Sequence, residues 1–128
     1  MSEKSRRDHN WDLSDRLLEY SARIIRLTEA LPTTRAGNHV AGRLLRSGTS
    51  PYPNHGEAQA VESPRDFIHK MKVCLKELRE SERWIKLIIR VPMIQPVEKM
   101  NDILTETDEL TRIFVSSIQT AESNAASN

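Results

Sequence analysis

Eight side chains in one stretch of this chain have the type and spacing to meet a polyanion. Arg65, His69, Lys72, Lys76, Arg79, Arg83, Lys86 and Arg90 follow one another at steps of four and three. On a helix such positions fall within roughly a 100° arc, at ~100° per residue. Regularly spaced cations displace the counterions condensed on a phosphate backbone, which is the chemistry of RNA or DNA binding. The acids of the same stretch, Asp66, Glu77, Glu80 and Glu82, sit off that arc. The pattern equally describes a solvated face, or a surface that pairs with an acidic helix of the same or a neighbouring subunit.

Other chemistries find less support. The best metal-like spacing is Asp66-x-x-His69, with His55 and Glu57 ahead of it. A di-iron bundle needs Glu-x-x-His on two helices and two further inward Glu residues. That set is absent, and neither a metal nor another cofactor is expected. Cys74 lies among aliphatic residues, where a thiolate is disfavoured, and Ser47 and Ser50 have no evident His and carboxylate partners. No phosphate-binding loop or dinucleotide fingerprint occurs. Lys70, Glu77, Asn54 and Glu57 fall nearer the apolar face than the basic stripe does. A buried polar network that fixes helix register suits them better than a catalytic carboxylate pair. No enzyme is expected.

The element that must carry the stripe runs from residue 63 to 90. Ser63 is a candidate N-cap, Pro64 occupies the first helical position, and Asp66 stands three residues after the cap, beside the positive end of the dipole. Phe67, Met71, Cys74, Leu78, Ile85 and Ile88 recur at helical spacing and form one apolar face, nearly opposite the cations. Val73, Trp84 and Leu87 line the flank between the two faces, where a wider core or a subunit contact is expected.

Three more helices flank this one. The first runs from about residue 12 to 31, with Leu13, Leu17, Tyr20, Ile24, Leu27 and Leu31 as its seam, and Pro32 stops it. Thr33 or Thr34 caps the second, whose seam is Val40, Leu44, Ser47, Pro51 and Ala58. Pro51 and Pro53 each remove a backbone donor, so a kink or one-turn break is expected at residues 48–53, with the helix resuming to about residue 62. The small residues Ser47, Gly48, Ser50 and Gly56 admit close approach by a neighbouring helix of this or another chain. The last helix spans about 96 to 121, with an outer surface mostly acidic through Glu98, Asp102, Glu106, Asp108 and Glu109. Residues 1–10, with Lys4, Arg6 and Arg7, read as a mobile arm, and 122–128 as a disordered tail.

Four helices with short connections predict a single all-α domain over 1–128, an antiparallel up-down-up-down four-helix bundle. Its core is expected to hold Leu17, Ile24, Leu44, Phe67, Met71, Leu78, Ile85, Leu104, Phe114 and Ile118. A composition of 29% charged and 5% aromatic residues, with 4 Gly, favours helix over sheet. The net charge of +1 means that any nucleic-acid affinity must come from local segregation. One cysteine, no signal peptide and no long apolar run fit a cytoplasmic protein outside the membrane.

Residues 44–88 carry a more specific pattern. It reads LRSxTSxxxNxxEA followed by SxxDFIHKxxxxLKExxESxxW. The first part is met by Arg46, Ser47, Thr49, Ser50, Asn54, Glu57 and Ala58. The second is met by Ser63, Asp66, Phe67, Ile68, His69, Lys70, Leu75, Lys76, Glu77, Glu80, Ser81 and Trp84. This resembles the four-helix-bundle family that includes the proteins encoded by intervening sequences inside bacterial large-subunit ribosomal RNA genes. Pro51 and Pro53 depart from it, where the family usually has Ile, Ala or Gly, and put the straightness of the second helix in question. The resemblance implies a four-helix protomer that often assembles into a pentameric ring. Similar proteins of diversity-generating retroelements bind nucleic acid and a reverse transcriptase. Most family members have no assigned activity. Two readings follow: an oligomeric, non-enzymatic protein that associates with RNA or DNA through the stripe, or a structural adaptor for a protein partner.

Overall fold

The computed structural model describes residues 2–127, with side chains from residue 13 onward. Five α-helices follow in order: α1 (Ser2–Glu29), α2 (Arg35–Thr49), α3 (Pro51–Ala60), α4 (Pro64–Arg90) and α5 (Asn101–Ser127). Among the described residues there is no strand, and no helix is long and apolar enough to cross a membrane. α1 starts at Ser2, within the arm expected over residues 1–10, whose side chains lie outside the described residues. At the other end α5 continues through residues 122–127, which were expected to be disordered. Ala121, Ala125 and Ala126 are good helix formers, and no Gly or Pro interrupts them.

The caps form where the local signals put them. The Thr34 hydroxyl accepts from the Gly37 amide at 3.0 Å, and the Ser63 hydroxyl accepts from the Asp66 amide at 3.0 Å. Gly37 has no alternative at its site, because a Cβ there would lie 1.9 Å from the Pro32 carbonyl oxygen. The break in the second helix is confined to Ser50. Pro51 starts α3 and Pro53 stays within its first turn, where an amide donor is not needed. Ser50 keeps right-handed helical dihedrals, φ −67° and ψ −38°, so α3 carries on from α2 as a kinked continuation. The last helix starts later than expected, after a 3₁₀ turn over Val97–Met100.

α2 with α3 counts as one leg, so the chain makes a four-helix bundle, and its neighbouring legs run in opposite directions. Contacts between the second leg and α4 pair Arg43 with Glu80, Ser47 with Ser81, Pro51 with Cys74, and Glu57 with Lys70. Gly48 lets α1 close on α2: a Cβ there would stand 2.7 Å from an Ile24 methyl. The close approach therefore serves this chain's own first helix, while Gly56 faces open space. Of the expected core, Leu17, Ile24, Leu44, Met71, Leu78, Ile85, Phe114 and Ile118 are buried. Phe67 and Leu104 are only partly buried and pack against it. Phe67, near the start of α4, lines a groove with Ala121 and Ala125 of α5.

Candidate functional site

The capped, unbroken α4 aims its two faces in opposite directions. Met71, Cys74, Leu78, Ser81, Ile85 and Ile88 are sealed in the core. Arg65, His69, Lys72, Lys76, Arg79, Arg83, Lys86 and Arg90 are all exposed. Lys72 meets Glu122 of α5 at 3.0 Å. The other seven make no ion pair among the described residues. The acids of α5 are largely engaged elsewhere. Arg16 of α1 forks onto Glu106, with Nε at 3.0 Å and Nη2 at 2.7 Å, and also reaches Glu109 at 2.9 Å. Asp108 pairs with Arg112 one turn along. The acidic helix therefore does not absorb the stripe, and like charges stay aligned over about seven turns.

Some polar residues of the 44–88 pattern bind the second leg to α4, and others bond within their own helix. Lys70 donates to Glu57 at 2.6 Å, and the Asn54 amide donates to the Ser50 hydroxyl and carbonyl at 2.9 and 3.0 Å. Asp66 gives its backbone amide to the cap, the Glu77 carbonyl accepts from Ser81, and Arg46 is exposed. Lys70 and Glu57 keep substantial exposure, so the expected buried network is not built from them. It is built from Ser47, Ser81, Tyr20 and Thr107. The Ser47 and Ser81 hydroxyls lie 2.8 Å apart, and so do those of Tyr20 and Thr107. The first pair joins the second leg to α4, and the second joins α1 to α5. Burial pushes the Tyr20 phenol up to about 12. Tyr20 and Thr107 stand in the apolar seams of their helices, and polar groups at matching depth were the signal available.

The remaining reactive groups are quiet. Burial also raises the Cys74 thiol to about 12, and the thiol donates to the Pro51 carbonyl at 3.5 Å. His55 is buried edge-on to the Phe114 ring at 6.1 Å, which lowers its affinity for a proton. It is not gathered with Glu57, Asp66 and His69. Among the described residues no three His, Cys, Asp or Glu side chains converge as metal ligands.

Two grooves border the stripe, and the first lies between α4 and α5 beside Lys72, Lys76 and Arg79. The second, between α2 and α4, is lined by Arg43, Glu80, Arg83, Trp84, Lys86 and Leu87. Trp84 is half-buried and donates its indole N–H to Glu80 at 3.0 Å. The Arg43 guanidinium stands 5.9 Å from the indole centroid, and His39 meets the ring edge-on at 5.9 Å. On the flank expected to make subunit contacts, Val73 is half-buried and Leu87 is exposed. Arg43 and His39 were not anticipated, and nothing in the spacing of α2 marks them out.

An all-helical bundle held by a buried hydroxyl layer, with one long basic outer face, is the class that the geometry defines. The family model of the 23S rRNA-intervening sequence protein matches residues 10–116, and the chain belongs to that family. It is similar to the crystal structure of a protein of unknown function from the S23 ribosomal protein family of Bacteroides thetaiotaomicron. The two share 34% identity over 83% of this chain and 97% of the other, with a TM-score of 0.77. No curated protein matches the chain.

Proposed function

We propose that this protein is a non-enzymatic, self-associating bundle that holds RNA through the outer face of α4. The observation that carries this reading is the row of cations from Lys76 to Arg90, exposed and without an ion pair among the described residues. A row of cations that the fold does not neutralise suits a phosphate backbone. The buried Cys74 thiol, raised to about 12, is a poor nucleophile. A free, buried cysteine suits a reducing cytoplasm. Self-association is supported by Leu18, Ile25 and Leu45, which are 49%, 46% and 40% exposed on α1 and α2. A closed ring, the pentamer suggested by the family, multiplies the stripes and turns weak single contacts into avidity.

The second reading, an adaptor for another protein, is favoured by those same apolar side chains. One variant separates the two. Changing Lys76, Arg79 and Arg83 together to Glu should abolish binding of a generic RNA and leave the assembled mass intact. If the variant falls apart into protomers, the stripe is an assembly element. If an intact oligomer still binds RNA, the site lies elsewhere.

A further inference from the structure

We infer that the groove between α2 and α4 receives an unpaired base of the nucleic acid whose phosphates follow the stripe, with Trp84 as the stacking platform. The inference rests on the nucleic-acid reading of α4 and adds to it a preference for single strands.

Its starting point is the company that Trp84 keeps. The indole and Leu87 give the groove an apolar floor, and Arg43, Arg83 and Lys86 place three cations around it. Arg83 and Lys86 also belong to the stripe. A chain of phosphates that follows the stripe therefore passes the mouth of the groove, within reach of a base turned towards the protein. An apolar, aromatic floor under a cationic rim complements a ligand that is flat and aromatic in one part and anionic in the next. A nucleotide has that division.

The acid in the groove does not oppose this. Glu80 accepts the Trp84 N–H at 3.0 Å, a contact that does not depend on Arg43, which stands 3.8 Å away. That contact also holds the indole plane in place before anything binds. Arg43 is the group that must move. At 5.9 Å from the indole centroid it sits at the outer limit of a cation–π contact. A base sandwiched between the two planes needs two van der Waals separations, roughly 7 Å in all, so a retreat of about 1 Å by the flexible guanidinium admits it. Arg43 then covers the outer face of the base. A duplex keeps its bases inside the stack and can offer the stripe only its phosphates.

The chain has 2 tryptophans, so Trp11→Phe leaves Trp84 as its sole indole reporter. A short single-stranded RNA should quench Trp84 emission in that background, whereas the duplex of the same sequence should not. Trp84→Leu should weaken the single strand roughly 5- to 150-fold. Duplex affinity, the salt slope and the assembled mass should stay as they were. Trp84→Phe should restore most of the loss, because stacking survives without the indole N–H. Single-strand binding without quenching, and with full affinity in Trp84→Leu, would overturn the base pocket and leave the phosphate-binding stripe standing. A change of assembled mass in Trp84→Leu would make the groove a contact with a second copy. Should neither RNA bind the parent protein, the stripe reading and the base pocket fall together.

Discussion

α4 and α5 are matched in length at 27 residues each, and each buries one apolar stripe in the same core. They differ on the outside. Four of the five acids of α5 find cations within the chain, all but Asp102: Glu106 and Glu109 share Arg16, Asp108 holds Arg112, and Glu122 holds Lys72. The cations of α4 from Lys76 to Arg90 have no such partners among the described residues, and Lys70 pairs with Glu57 off the stripe. The difference separates two uses of charge. A charge that the fold neutralises is part of the scaffold, whereas a row left to water is available to a partner. Formal net charge hides this, because in the +1 of the whole chain the surplus cations of α4 are cancelled by the surplus acids of α5.

The largest expected effect tests that asymmetry directly. The change of Lys76, Arg79 and Arg83 to Glu should remove RNA binding, because three lost phosphate contacts alone take roughly 2 from the slope of log affinity against log salt. The matching change on the other helix, Glu106→Gln with Glu109→Gln, should leave RNA affinity where it was. If both variants lose RNA alike, the two outer faces are not different in kind.

The inner faces should behave as equals. Leu78 and Leu110 are both 0% exposed, and truncation of either to Ala should cost about 2–5 kcal/mol in urea unfolding. A large inequality would show that one helix dominates the core. A smaller effect concerns alkaline pH. Cys74 on α4 is raised from 9.0 to about 12, and Tyr20, bonded to Thr107 on α5, from 10.0 to about 12. Both groups are neutral when folded and ionise more readily once unfolded. The stability they add is whole below about pH 9 and is lost as pH rises to about 12. Urea midpoints should therefore fall across that window, and the fall should flatten in Tyr20→Phe combined with Cys74→Ala. An unaltered fall in the double variant would assign the loss to other groups.

Much of α4 was legible before any fold was known, because its signals are local. Ser63, Pro64 and Asp66 mark its start, and the two opposed periodicities assign its faces from residue order alone. Pro51 and Pro53 located the break, but sequence could not shrink it to Ser50, since that depends on both rings fitting the first turn of a new helix. The register layer was expected at Lys70, Glu77, Asn54 and Glu57, yet the buried hydroxyls are those of Ser47, Ser81, Tyr20 and Thr107. Which polar groups meet depends on the axial offset between helices, and the period of one helix carries no information about that offset. The same limit hid Arg43 and His39 from Trp84. Phe67 and Leu104 fit the apolar rhythm, but rhythm does not say how far a neighbouring helix extends to cover them.

The smallest effect lies where the two outer faces touch. Lys72 and Glu122 are 3.0 Å apart with side chains 56% and 48% exposed, and such pairs contribute about 0.2–1 kcal/mol at most. Lys72→Ala should therefore hardly move the unfolding midpoint. Its effect on RNA is the sharper measure. A lysine already partly neutralised by a carboxylate displaces fewer counterions from a phosphate, so Lys72→Ala should lower the salt slope by less than Lys76→Ala does. Glu122→Gln should release Lys72 and raise RNA affinity slightly, with the gain largest at low salt, where exposed charges are least screened. Equal slopes for Lys72→Ala and Lys76→Ala, together with no gain from Glu122→Gln, would mean that pairing within the chain does not decide which cations serve the partner.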